Sequence, residues 1–254
     1  MPSISHQKRE VLLKLVYYGP GLGGKTTNLE WIHARARPEH RGKLLSLNTD
    51  AERTLFFDLL PVDLGRFKGY AIRLHLCTVP GQIAYDRTRQ LILKNVDGVV
   101  FVVDSQLEQL EANAESLINL RNNLRLQGVD PDRLPVVVQY NKRDVPGVLA
   151  PEELRAALGV PPGVVEREAV ATRGVGVFET LKSVVTECLK LVGDPAAAAE
   201  GRTPSILPGQ RASMYPGALA PVAPRAAAPA GDGADTSGVP RAPRLPTLAD
   251  DDGT

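Results

Sequence analysis

Leu15-Val16-Tyr17-Tyr18-Gly19-Pro20-Gly21-Leu22-Gly23-Gly24-Lys25-Thr26-Thr27-Asn28-Leu29 decides the fold. An apolar run from Val11 ends at Tyr18 and reads as a buried strand. The next eight residues fit GxxxxGK[ST], and a helical pattern follows through Leu29 and Ile32. Glycines let such a loop wrap inward, so that successive backbone N–H groups and a helix N-terminus point at one centre, where side chains would block approach. That arrangement suits the phosphates of a nucleoside triphosphate. Lys25 brings a mobile positive charge to the β- and γ-phosphates, and the Thr26 hydroxyl is a hard oxygen ligand for Mg²⁺. Gly19, Gly21, Leu22, Gly23, Gly24, Lys25, Thr26 and Thr27 form the phosphate-side set.

Outward from this loop, short β-branched runs alternate with helical patterns as far as Val192, which predicts a mostly parallel sheet covered on both faces. The strands fall around Val11 to Tyr18, Lys43 to Leu47, Ala71 to Cys77, Gly98 to Asp104, Pro135 to Asn141 and Val164 to Val170. Leu107, Leu110, Ala114, Leu117, Leu120 and Leu124 recur at three- and four-residue steps and mark an amphipathic helix. Phe178, Leu181, Val184, Val185 and Leu189 mark the last one. Beyond Gly193 the composition turns to alanine, proline, glycine and isolated arginines, too poor in apolar residues to offset the entropy of ordering. Residues 1–194 are therefore expected to form the folded domain and residues 195–254 a disordered tail. The tail reads either as a solvated extension or as a docking segment using Asp250, Asp251 and Asp252 or its Pro-Arg repeats.

The 30 basic and 29 acidic residues give a formal net charge of +1, which disfavours nucleic acid as a partner. Cys77 and Cys188 have no paired spacing, so no disulfide framework or zinc site is expected and the cytoplasm is the simplest compartment. No apolar run approaches the ~18 residues of a membrane span. With Pro2 at the second position and an Asp-Asp-Gly-Thr end, no lipid anchor is expected either.

The base is read further along. Asn141-Lys142-Arg143-Asp144 follows a strand and matches the NKxD box of guanine-nucleotide proteins. Guanine offers N1–H and an exocyclic amine as paired donors, so Asp144 can accept both, whereas adenine would leave the acid desolvated and unpaired. Resemblance to that box implies that Asn141 braces the phosphate loop and contacts the base edge, and that Lys142 packs its stem along the nucleotide. In Ras-like proteins a third contact comes from an S-A-K type loop. Val170-Ala171-Thr172 is the matching stretch, with Ala171 kept and its neighbours changed.

Two further segments resemble Ras-like switches. In Asn48 to Asp58, Thr54 stands where those proteins keep a threonine that holds Mg²⁺ and the γ-phosphate. Arg53 before it is placed to neutralise charge during phosphoryl transfer, its alternative being a surface ion pair with Asp50 or Glu52. In Thr78-Val79-Pro80-Gly81-Gln82, against the usual DxxGQ, Gly81 offers an N–H to the γ-phosphate and Gln82 orients the attacking water. Thr78 replaces the aspartate that normally helps hold Mg²⁺, and the sequence leaves open which group compensates.

Together, LVYYGPGLGGKTTNL, RTLFFDLLP, TVPGQ, LILKNVDGVVFVVDSQ and VVQYNKRD resemble MglA-type bacterial GTPases over residues 8 to 192. The resemblance implies a Ras-like P-loop GTPase fold, an α/β three-layer sandwich with a mostly parallel central sheet. It implies Mg²⁺-dependent hydrolysis of GTP to GDP, with Gln82 and Arg53 catalytic and Thr26 and Thr54 on the metal. It further implies a Roadblock/LC7-fold activator of MglB type, an effector at a cell pole, control of cell polarity and motility, and a monomer when free. Two other readings stay open: a GTP-binding scaffold with negligible hydrolysis, kept alive by Thr78, and an ATP-using P-loop enzyme.

Overall fold

The structure, a computed structural model, describes residues 3–47, 57–81 and 85–192. Its strands are β1 (Ser3–Ser5), β2 (Glu10–Tyr18), β3 (Leu45–Leu47), β4 (Phe57–Phe67), β5 (Tyr70–Thr78), β6 (Gly98–Asp104), β7 (Val136–Asn141) and β8 (Val165–Glu168). Its α-helices are α1 (Lys25–Arg35), α2 (Asp86–Leu93), α3 (Leu110–Leu126), α4 (Pro151–Leu158) and α5 (Val177–Val192). The sheet order is β3-β4-β5-β2-β6-β7-β8. The five strands from β5 to β8 run parallel, and β4 is antiparallel to both β3 and β5.

Strand alternation divides the core into two layers. Leu13, Leu15 and Tyr17 of β2, with Val100 and Val102 of β6, face Leu29 and Ile32 of α1 and Leu181, Val184 and Val185 of α5. Val16, Tyr18, Val99, Phe101 and Val103 face the other way, onto Ile92 and Leu93 of α2, Leu120 and Leu124 of α3 and Leu154 of α4. β6 is buried at every position because it lies mid-sheet with helices on both faces, which is why it reads as an unbroken apolar run. The three-layer α/β expectation holds. Among the described residues no helix is long and apolar enough to cross a membrane.

Several elements differ from the sequence reading. β4 is an eleven-residue strand where none was placed, and its Pro61 is the reason, since proline supplies no ladder donor. The Pro61 carbonyl accepts from Gly42 N–H at 2.9 Å, so its nitrogen faces Gly42 and the isolated Arg41–Val62 bridge, past the Leu45–Leu59 pair where β3 ends. The missing donor therefore costs only the reciprocal bond to Gly42 and leaves the β3–β4 and β4–β5 ladders intact. β1 was also unplaced; it pairs antiparallel with β2 through Ser3–Leu12 and Ser5–Glu10. The strand expected from Lys43 starts at Leu45, and the last strand ends at Glu168, with Val170 bridged to Val175 instead. α2 and α4 are too short to announce themselves by periodicity. α4 is fixed by Pro151 in its first turn, by Glu153 accepting from Ala150 N–H at 2.7 Å, and by left-handed Gly159 at its end. The expected tail, residues 195–254, lies outside the described residues.

Candidate functional site

The loop between β2 and α1 is held from three sides. Gly19, at φ 146°, passes so close to β6 that a Cβ there would stand 2.2 Å from the Val102 carbonyl oxygen. Gly24, at φ 98°, lies under Asn141, and a Cβ there would meet Asn141 Nδ2 at 2.2 Å. Asn141, at the end of β7, donates from Nδ2 to the Gly23 carbonyl at 2.9 Å and accepts at Oδ1 from Ala171 N–H at 3.0 Å. One buried side chain thus joins the glycine loop to the Val170-Ala171-Thr172 loop. Behind the loop, Asn28 donates to the Gly24 carbonyl at 2.9 Å and exchanges two 3.0 Å bonds with Gln139, which also donates to Thr180 at 3.0 Å. All three side chains are fully buried.

Lys25 is buried, with Nζ donating to the Gly19 and Pro20 carbonyls at 3.0 and 2.5 Å. Burial, and then the nearby Arg89 charge, lower its ammonium from the usual lysine range to about 8, with Asp58 opposing the shift. Leu22, at φ 58°, is 93% exposed on the rim of the loop, so it enters the set through its backbone. Gly81 crosses the loop closely enough that a Cβ would sit 2.4 Å from Gly21 N. A cavity of about 510 Å³ opens beside these residues, bordered by Lys25, Thr26, Thr27, Asp58, Thr78 and Gly81 among others.

Asp58 is the residue the sequence reading missed. It is 8% exposed on β4, one step past the Leu59–Cys77 pair, and so directly across the ladder from Thr78. Its Oδ2 accepts from Thr26 Oγ1 at 2.7 Å and from Thr78 Oγ1 at 2.9 Å; its Oδ1 accepts from Ser46 Oγ at 2.7 Å. Its own N–H donates to Thr78 Oγ1 at 2.9 Å. A carboxylate is therefore present where Thr78 appeared to remove one, delivered from the neighbouring strand. The only signal in sequence was an acid inside an apolar run, Phe57-Asp58-Leu59, which binary patterning rarely allows in a strand.

At the base end, Lys142 adopts φ 64° and pairs with the buried Asp104 carboxylate at 2.5 Å, with Gln106 Oε1 at 3.3 Å. Asp104, also unmarked in the sequence reading, closes the apolar β6 run and fixes the Lys142 stem. Asp144 lies 3.9 Å from Arg173, a long contact that leaves its carboxylate able to take other donors. The structure thus brings together the glycine loop, Asn141, Lys142, Asp144, Ala171, Thr172, Thr78 and Gly81. Arg53, Thr54 and Gln82 lie outside the described residues.

Over residues 64–188 the chain matches the ADP-ribosylation factor family. It is 56% identical over 184 residues to the mutual gliding-motility protein MglA of Myxococcus xanthus, a match covering 72% of this chain and 94% of that protein. The chain belongs to the MglA family of small GTPases. GTP hydrolysis is the activity of that family. In this MglA-family chain the braced glycine loop and the Asn141-Lys142-Arg143-Asp144 turn adjoin on one surface along the C-terminal edges of β2, β6 and β7, where parallel α/β sheets hold ligands.

Proposed function

We propose that this GTPase is a Mg²⁺-dependent cytoplasmic switch controlling cell polarity and motility; that its Myxococcus relative is a gliding-motility protein supports the motility role. Its GTP form is read by an effector at a cell pole and its turnover is stimulated by a Roadblock-fold partner of MglB type. The observation that carries the reading is the Asp58 carboxylate, 2.7 Å from the Thr26 hydroxyl beside Lys25.

The donors fit a hard divalent cation. Thr26, Asp58, Ser46 and Thr78 present only oxygen, and a site of one carboxylate and hydroxyls completed by phosphates suits Mg²⁺. Thr26 and Thr54 would hold the ion, with Asp58 behind them. When bound, Mg²⁺ neutralises charge on the β- and γ-phosphate oxygens. The chain's own groups do the rest. Lys25 sets its positive charge against the same phosphates, and the loop N–H groups orient them. Gly81 N–H holds a γ-phosphate oxygen, Gln82 orients the water for in-line attack, and Arg53 neutralises charge developing in the transition state. Asp144 accepts from guanine N1–H and its exocyclic amine, while Asn141 keeps the base loop and phosphate loop in register.

The test is GTP hydrolysis by purified protein with Mg²⁺, alone and with a Roadblock-type partner from the same genome. Gln82→Leu and Arg53→Ala should each keep GTP affinity while losing activator-stimulated phosphate release by about 10³-fold or more. Normal stimulated turnover in both variants would refute the residue roles, and tight GTP binding without turnover in wild type would favour a non-hydrolysing scaffold.

A further inference from the structure

Between α2, α3 and the end of β2 lies a polar cluster that borders the site described above and reaches it through Arg89 and Tyr18. Asp86, in the first turn of α2, is its centre. Asp86 Oδ1 accepts from Asn119 Nδ2 at 2.8 Å, Asn123 Nδ2 at 3.0 Å and an Arg89 guanidinium nitrogen at 3.2 Å, while Oδ2 accepts from Gln90 Nε2 at 2.8 Å. Asn119 Oδ1 in turn accepts from the Tyr18 hydroxyl and from Asn123 Nδ2, the latter at 3.1 Å. Tyr18 is the last residue of β2 before Gly19, and both Tyr18 and Asn123 are 1% exposed. Arg89, itself buried, also donates from Nη1 to the Pro80 carbonyl at 3.4 Å.

The placement of these bonds is informative. Pro80 lies on the N-terminal side of Gln82 and Asp86 on its C-terminal side. Asp86 is tied to Pro80 through Arg89, and to α3 and the root of the phosphate loop through Asn119, Asn123 and Tyr18. A helix packed only for stability would satisfy its polar groups locally; here one carboxylate gathers four donors from two helices, at a helix start where its negative charge is favoured. Fixing both ends of a short segment restricts where its middle can go, and near-attack geometry tolerates little error: a displacement of about 1 Å can cost about 10²-fold in rate.

We propose that Asp86 is a positioning residue for hydrolysis, tying Pro80 and the start of α2, which flank Gln82 in the chain, to α3 and the root of the phosphate loop. The inference rests on the role given to Gln82 under the proposed function. In this role Asp86 acts through the segment it anchors. Because its side chain is 41% exposed, removing it leaves no buried void.

The experiment is a double-mutant cycle on the full chain, read as single-turnover GTP hydrolysis beside the affinity for fluorescent GDP and GTP. Asp86→Ala should slow turnover about tenfold to a hundredfold with both affinities within about twofold of wild type. Added to Gln82→Leu, it should slow turnover no further. Turnover within twofold of wild type in Asp86→Ala, while Gln82→Leu is slow, overturns the anchor alone. Losses that multiply in the double variant, or a parallel loss of nucleotide affinity, also overturn it. Gln82→Leu turning over normally overturns the role of Gln82 and the anchor with it. Should Asp86→Ala melt below the assay temperature, Asp86→Asn, which keeps the volume and removes the charge, is read by the same criteria.

Discussion

Replacing Asp58 with asparagine removes one negative charge and almost no volume from the proposed metal site. The cost follows from the geometry. With Thr26 Oγ1 on the ion at about 2.1 Å, a carboxylate oxygen 2.7 Å from that hydroxyl lies within about 5 Å of the dication. The attraction at an effective dielectric near 20 is then about 7 kcal/mol before desolvation is counted. Outer-sphere carboxylates retain less than that when measured, about 10- to 100-fold in metal affinity, or about 1.4–2.8 kcal/mol. Asp58→Asn should therefore raise the Mg²⁺ concentration that half-suppresses release of fluorescent GDP by 10- to 100-fold. The affinity for GDP in excess chelator should be unchanged. Because Asp58 and Thr78 face each other across the β4–β5 ladder, the exchange Asp58→Thr with Thr78→Asp should recover most of the loss. A half-suppression point within about threefold of wild type in Asp58→Asn would refute the assignment of this carboxylate to the metal.

Lys25, lowered to about 8 in the free protein by burial and then by Arg89, should be drawn up again by nucleotide phosphates. Binding then takes up a proton above pH 8, so GDP affinity should be level below pH 8 and fall by up to about tenfold per unit above it. A flat affinity from pH 8 to 9.5, with the fold intact by circular dichroism, would contradict this. Gln139→Leu strips Asn28 Oδ1 of its partner and Thr180 of a donor inside the core. It should lower the unfolding free energy by about 2–4 kcal/mol and the melting midpoint by roughly 5–15 °C. Combining it with Asn28→Ala should cost much less than the sum of the two; additive losses would mean that the pair is not coupled.

The shape of the glycine loop and its contact with the Asn141 turn were legible because backbone geometry there dictates residue type. Gly19 and Gly24 are pressed against Val102 and Asn141 at left-handed or otherwise strained φ, and any side chain would collide. β6 was legible because its burial on both faces forces an unbroken apolar run. β4 was not, since Pro61 and Asp58 each break the expected pattern for a reason visible only in three dimensions. Pro61 turns its donorless nitrogen toward Gly42, past the end of β3, and Asp58 is buried with three hydroxyl donors around it. A departure from the family pattern at one position was visible as Thr78, but its compensation lay twenty residues away, joined by strand pairing rather than by spacing.

The same logic explains why the loop needs a polar wall behind it. Gln139 and Asn141 are two residues apart on β7, so their side chains project from one face. One meets Asn28 in the first turn of α1 and the other meets Gly23 in the loop before it. The N–H groups of a glycine loop can stabilise phosphate only if they stay aimed without the phosphate's help, because reorganisation would be charged against binding. Glycine confers the freedom to adopt the curve and cannot by itself hold it. In this chain the stiffness comes from β7, through two buried amides whose hydrogen bonds have no water to compete with them. Asn141 also reaches Ala171 in the base-side loop. The strand that braces the glycine loop therefore braces the Ala171 loop too, and the spacing of the two loops is set by backbone already committed to the sheet.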